Sequence, residues 1–68
     1  MNEETFNLGV RKFLKRFGVT AQREMEKAVA EAVRSGQLKG TETLNAHAVL
    51  TIDGLPMRVA IDDELPLA

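Results

Sequence analysis

His47 is the only histidine in the chain and the natural first candidate for proton transfer. Catalysis would need it beside a nucleophile or an acid within a pocket. The alternation of residues around it places it on the polar face of a β-hairpin. The nearest carboxylate on that face is Asp62, on the diagonal, so an exposed surface histidine is expected. Asp62, Asp63 and Glu64 form an acidic run. Carboxylates of this kind bind hard cations when spaced oxygen ligands surround a turn glycine; this run lacks both and reads as a solvated turn. Ser35 has no base near it in sequence, and Gly36 and Gly40 are too sparse for a phosphate-cradling loop. There is no cysteine, so disulfides are excluded and a closed zinc site lacks ligands. The expectation is no catalytic residue, no cofactor and no metal.

Two non-catalytic chemistries remain. Arg11, Lys12, Lys15 and Arg16 cluster within six residues and would suit phosphate contacts. Phe13-Leu14-Lys15-Arg16-Phe17-Gly18-Val19-Thr20 followed by a helix looks like the middle of a helix-turn-helix, and two helices followed by a hairpin resemble part of a winged-helix domain. Against this, Leu14 and Glu24 stand where that pattern usually has a small and a β-branched residue. The outer face of the second segment also balances Arg23, Lys27 and Arg34 against Glu24, Glu26 and Glu31. The other chemistry is protein association. Leu8 falls opposite the first apolar stripe and Val49 on the wet hairpin face, so both are candidate interface residues. Single exposed apolar residues are ordinary, whereas the two open edges of a small sheet invite pairing.

The elements that must position these residues follow from a change of hydrophobic period near residue 40. Before it, apolar residues recur every three or four positions, as on a helix. Phe6, Val10, Phe13, Leu14 and Phe17 predict a helix over about residues 3–17, capped by Asn2 and favoured by Glu3 and Glu4 at its positive end. Gly18 reads as its stop, with Val19 folding back on Leu14. Thr20 then caps a second helix over about 20–35, with Ala21, Met25, Ala28, Val29 and Ala32 as its stripe and Gly36 as its end. Phenylalanines on one stripe and alanines on the other predict a tight antiparallel helical hairpin, with Gly9 beside the first stripe allowing close approach. After residue 40 the period is two. Ala46, Ala48, Leu50 and Ile52 alternate on one strand and Leu55, Met57, Val59 and Ile61 on the next. Asp53-Gly54 reads as a two-residue type I′ turn joining strands over about 44–52 and 55–62. That register pairs Ile52 with Leu55 and Leu50 with Met57, sets Pro56 opposite Thr51, and leaves the tail after Asp62 to turn or fray.

Sixty-eight residues make one small domain spanning 1–68, short enough to need unusually good packing or self-association. The 44% hydrophobic content suffices for a core and argues against disorder. Residues 1–40 hold eight Lys/Arg and five Asp/Glu, and residues 41–68 one Arg and five Asp/Glu. This asymmetry offers either a basic binding face or halves that attract each other. The acidic N-terminus has no signal pattern and no apolar run approaches the roughly 18 residues of a membrane span, which predicts a cytoplasmic protein with no membrane partner.

Asn2-Glu3-Glu4-Thr5, Arg11-Lys12-Phe13-Leu14-Lys15, Gly18-Val19-Thr20, Gln22-Arg23-Glu24-Met25-Glu26-Lys27-Ala28 and Leu38-Lys39-Gly40-Thr41-Glu42-Thr43-Leu44 are similar to a family of short bacterial proteins that carries only a domain-of-unknown-function label. His47 and Pro56 depart from it. The resemblance implies a bacterial source and transfers no functional residue. The combined expectation is an α+β domain in which a helical hairpin covers one face of a two-stranded β-hairpin, with Phe13, Met25, Leu50 and Val59 in one dry layer. Its expected role is a small non-enzymatic interaction or accessory module that pairs with itself or another protein. The alternative is a winged-helix-like nucleic-acid binder.

Overall fold

A computed structural model describes all 68 residues, Met1–Ala68. The class is α+β, as the periodicity predicts: α1 spans Glu3–Arg34, β1 spans Thr43–Thr51 and β2 spans Arg58–Pro66. The chain divides into two compact units, Met1–Gln37 and Leu38–Ala68. No helix is long and apolar enough to cross a membrane.

The first unit holds one helix of 32 residues where the sequence predicts two. Its ends are those expected. The Asn2 side chain accepts a hydrogen bond from the Thr5 backbone N–H at 3.1 Å, and Glu3 and Glu4 lie in the first turn. At the other end the Ser35 N–H donates to the Glu31 carbonyl at 2.9 Å, and Gly36 turns the chain away with a φ of 86°. Between them α1 runs unbroken through Gly18-Val19-Thr20, and the helical hairpin is absent. A glycine cap requires the left-handed backbone region, and Gly18 is not among the glycines with positive φ. The physical reason lies in the spacing. Phe17 to Ala21 is a step of four, so the two apolar stripes are collinear on one helix. Continuing preserves the intrahelical hydrogen bonds, at a cost of about 1 kcal/mol for an interior glycine. No proline stands nearby to enforce a break.

The second unit is a β-hairpin. A loop leads into it, closed by the Glu42 carboxylate, which accepts from the backbone N–H groups of Lys39, Gly40 and Thr41 at 2.8, 2.9 and 3.1 Å. β1 and β2 pair antiparallel, with Leu44 opposite Leu65, Ala46 opposite Asp63, Ala48 opposite Ile61 and Leu50 opposite Val59. The reversal is at Asp53-Gly54, as expected, with the Leu55 N–H donating to the Ile52 carbonyl at 3.2 Å. A type I′ turn requires positive φ at both central residues; only Gly54 has it, at 85°, the sign pattern of a type II turn. β2 then begins at Arg58, three residues later than predicted, and the register shifts by two. Pro56 lies in the connection rather than opposite Thr51, whose partner is Arg58. Proline holds its own φ and restricts Leu55 before it, which favours a longer loop over a tight hairpin ending.

A slip of two preserves which side chains share a face. Leu44, Ala46, Ala48 and Leu50 still oppose a mostly apolar row, at the cost of placing Asp63 opposite Ala46. The slip also extends β2 to Pro66, so the tail expected to turn or fray is a strand. The Leu67 N–H donates to the Glu42 carbonyl at 2.9 Å, making that pair a hydrogen-bonded one. Alternation makes Thr43–Pro66 a non-hydrogen-bonded pair, where a proline costs the ladder nothing.

No side chain in the chain is buried. Of Phe13, Met25, Leu50 and Val59, expected in one dry layer, none is buried. Phe13, Met25 and Val59 are exposed and Leu50 is half-buried.

Candidate interaction surface

One continuous stripe follows from the unbroken helix. At 100° per residue Phe6, Val10, Phe13, Phe17, Ala21, Met25, Ala28 and Ala32 fall on one side of α1. Phe6, Phe17 and Ala28 are eleven apart, as are Val10, Ala21 and Ala32. That is about 3.67 residues per turn, close to the 3.6 of a straight helix, so the stripe scarcely drifts. Phe6, Phe13 and Phe17 are exposed by 52, 53 and 50%. Phenylalanines are mostly buried in stable folds, and a line of three half-open ones is the kind of apolar patch that marks an interaction site. Phe13, Arg16, Phe17, Thr20, Ala21 and Glu24 line a shallow depression midway along this side.

Arg11, Lys12 and Lys15 fall on the side of α1 away from the stripe and Arg16 at its margin, the four spread over roughly 140° of the helical circumference. They make a basic ridge. The Lys and Arg ion pairs of the structure are Lys27–Glu24 and Arg34–Glu31, and neither involves these four cations. The helix-turn-helix of the alternative reading is not present, because the residues of its turn are helical. Leu8 is also on that side, 59% exposed, in a shallow groove with Glu4, Asn7 and Arg11. Val49 is 55% exposed on the polar face of the hairpin, opposite Ala60.

His47 lies directly opposite Asp62, not on the diagonal. Its Nδ1 is 2.8 Å from the Asp62 carboxylate, with both side chains exposed. Alternation from the Glu42–Leu67 pair makes this a non-hydrogen-bonded position, where facing side chains stand closest. The two-residue slip of register produces the contact. An exposed cross-strand pair of this kind can link two strands. No group of three or more His, Cys, Asp or Glu side chains is placed to hold a metal ion, and Asp62, Asp63 and Glu64 alternate faces along β2. Ser35 serves the helix end, its hydroxyl donating to the Ala32 carbonyl at 3.3 Å.

Sequence reasoning missed Glu42. Its carboxyl is held below the usual glutamate value by backbone N–H donors, Lys39 foremost. Three successive amides converging on one oxygen pair form an anion nest, and here the chain supplies its own anion. The available signal was a glycine free to take positive φ (94° at Gly40) two residues before an acidic one. Sequence reasoning also missed that the two apolar stripes are one.

A protein-family model described as a family of unknown function matches residues 1–68. Neither a curated protein nor a solved structure matches the chain.

Proposed function

The chain belongs over its whole length to the family of unknown function DUF6494, which brings no activity with it, and from the surface of α1 we propose that it is a non-enzymatic module acting by protein association. One observation carries this reading: no side chain is buried, while three phenylalanines stand half-open in line along one side of a long helix. Isolated helices are marginal in water and draw most of their stability from packing an amphipathic face. A lone two-stranded hairpin is marginal too. Small domains without disulfides or metals commonly complete themselves by oligomerisation. Covering the stripe of α1 supplies what the single chain lacks.

The absence of a helix-turn-helix pair and the equal numbers of acidic and basic residues over 20–34 leave nucleic-acid binding with only the basic ridge in its support. The reading of the stripe is tested by circular dichroism and sedimentation of the purified chain over a wide dilution series. Helical signal is expected to depend on association. It falls as complexes dissociate, or it is weak in a chain that sediments as a monomer and must find a different protein. A monomer with full helical signal at every concentration overturns the reading, because α1 would then stand without cover.

A further inference from the structure

The stripe of α1 is a palindrome in spacing. Phe6 and Ala32, Val10 and Ala28, Phe13 and Met25, and Phe17 and Ala21 are each equidistant from Val19. We infer that two copies of this chain pair their α1 helices antiparallel about a two-fold axis at the level of Val19. This rests on the reading of the stripe as an association surface and names its occupant.

Reversing one helix about Val19 sets Phe6 against Ala32, Phe17 against Ala21, Val10 against Ala28 and Phe13 against Met25. Each large side chain meets a smaller or a flexible one at every level, so the two axes keep a constant separation near 8–10 Å. The close helical hairpin that the large and small stripes suggest within one chain is thus formed between two chains. A parallel pair sets Phe6 on Phe6 and Ala32 on Ala32. It is too thick over the first half and gapped over the second.

The depression at the middle of the stripe supplies independent support. Phe17, Thr20, Ala21 and Glu24 line it, at the i, i+3, i+4 and i+7 spacing of a hole that receives a knob from a facing helix. In the antiparallel pair, Phe17 of the second copy arrives at the level of Ala21, over that hole. The two-fold axis repeats the insertion, as an isologous contact requires. Arg16 and Glu24 line the same depression. Arg16 of each copy comes within about 3 Å along the axis of Glu24 of the other, giving opposite charges at both ends of the central contact.

The area is sufficient. A phenylalanine side chain presents about 200 Å², so each half-open one still has about 100 Å² to bury. With Val10, Met25 and the three alanines the stripe offers roughly 500 Å² per chain, and a pair about 1,000 Å², the threshold for a specific interface.

The chain has no cysteine, so single spin labels can be placed cleanly. Glu4→Cys and Glu26→Cys, both away from the stripe, are labelled in separate full-length samples, and label-to-label distances are measured in the associated state. The helix rise of about 1.5 Å per residue predicts axial offsets of about 45 Å for position 4 and about 21 Å for position 26, so the position 4 distance is the longer by roughly 20 Å once the lateral separation common to both is included. Equal short distances at both positions indicate a parallel pair and overturn the antiparallel arrangement while leaving the association surface standing. A chain that shows no intermolecular distance and sediments as a weakly helical monomer overturns the second copy as occupant. A fully helical monomer overturns the surface itself. Ala21→Phe provides a check independent of labelling. Filling the hole is expected to weaken the dimer at least tenfold, while Ala30→Phe, away from the stripe, leaves it unchanged; equal effects of the two overturn the arrangement.

Discussion

Glu42 ties down the loop ahead of the hairpin with one carboxylate on three amides. Its pKa in the folded chain lies below the ordinary 4.5. A depressed carboxylate pKa stabilises the fold above the unfolded value, and that contribution is lost as pH falls through the folded one. Amide exchange at Lys39, Gly40 and Thr41 is therefore expected to stay protected from neutral pH down to about 4.5 and to lose protection below it. Glu42→Gln removes the charge and should show the unprotected exchange, relative to intrinsic rates, at every pH; protection of Gly40 in that variant would show that the carboxylate is not what orders the loop. Gly18 gives a second prediction. It lies inside α1 without positive φ, and an added Cβ meets nothing within 4 Å. Gly18→Ala should stabilise the protein by about 1 kcal/mol, read as a raised thermal midpoint at fixed protein concentration. Were Gly18 the left-handed end of a shorter helix, the same substitution would lower it.

The hairpin shows how a local pattern can be right about faces and wrong about partners. Gly54 has a φ of 85°, so Gly54→Ala should lower the thermal midpoint by an amount equivalent to about 1 kcal/mol, the opposite sign to Gly18→Ala. His47 and Asp62 occupy a non-hydrogen-bonded pair, so a strong Hα–Hα contact between them is expected in nuclear Overhauser spectra; the same contact between His47 and Ala60 would restore the tighter register. Alternation made the period of two and the reversal at Asp53-Gly54 legible, and it sorted Ala46, Ala48 and Leu50 from Asn45, His47 and Val49 correctly. It could not fix the register, because shifts by two leave every face unchanged. What decided between them, the backbone signs at Asp53 and Gly54 and the constraint at Pro56, is a matter of turn geometry. In α1 the ends were legible at Asn2 and Gly36 for the same reason that Gly18 misled. Glycine marks a helix end only when nothing favours continuation, and the step from Phe17 to Ala21 does.

At the scale of the molecule, the proposed association gives a chain without a buried side chain its cover, and its direction is set by which side of α1 is apolar. Marginal stability leaves little margin for losing it. Phe17 stands at the centre of the stripe and enters the contact once from each copy. Phe17→Asp places two carboxylates where two aromatic knobs fill holes. The expected loss is about 3 kcal/mol or more per dimer, over a hundredfold in dissociation constant, read by sedimentation equilibrium and accompanied by a fall in helical signal at the same concentration. Leu8 is as exposed as Phe17 but faces away from the stripe, so Leu8→Asp should leave both readings unchanged. So should Lys12→Glu on the basic ridge. The contrast between Phe17 and Leu8 separates burial of a defined face from general stickiness of an open helix, since a nonspecific aggregate would respond to both substitutions alike.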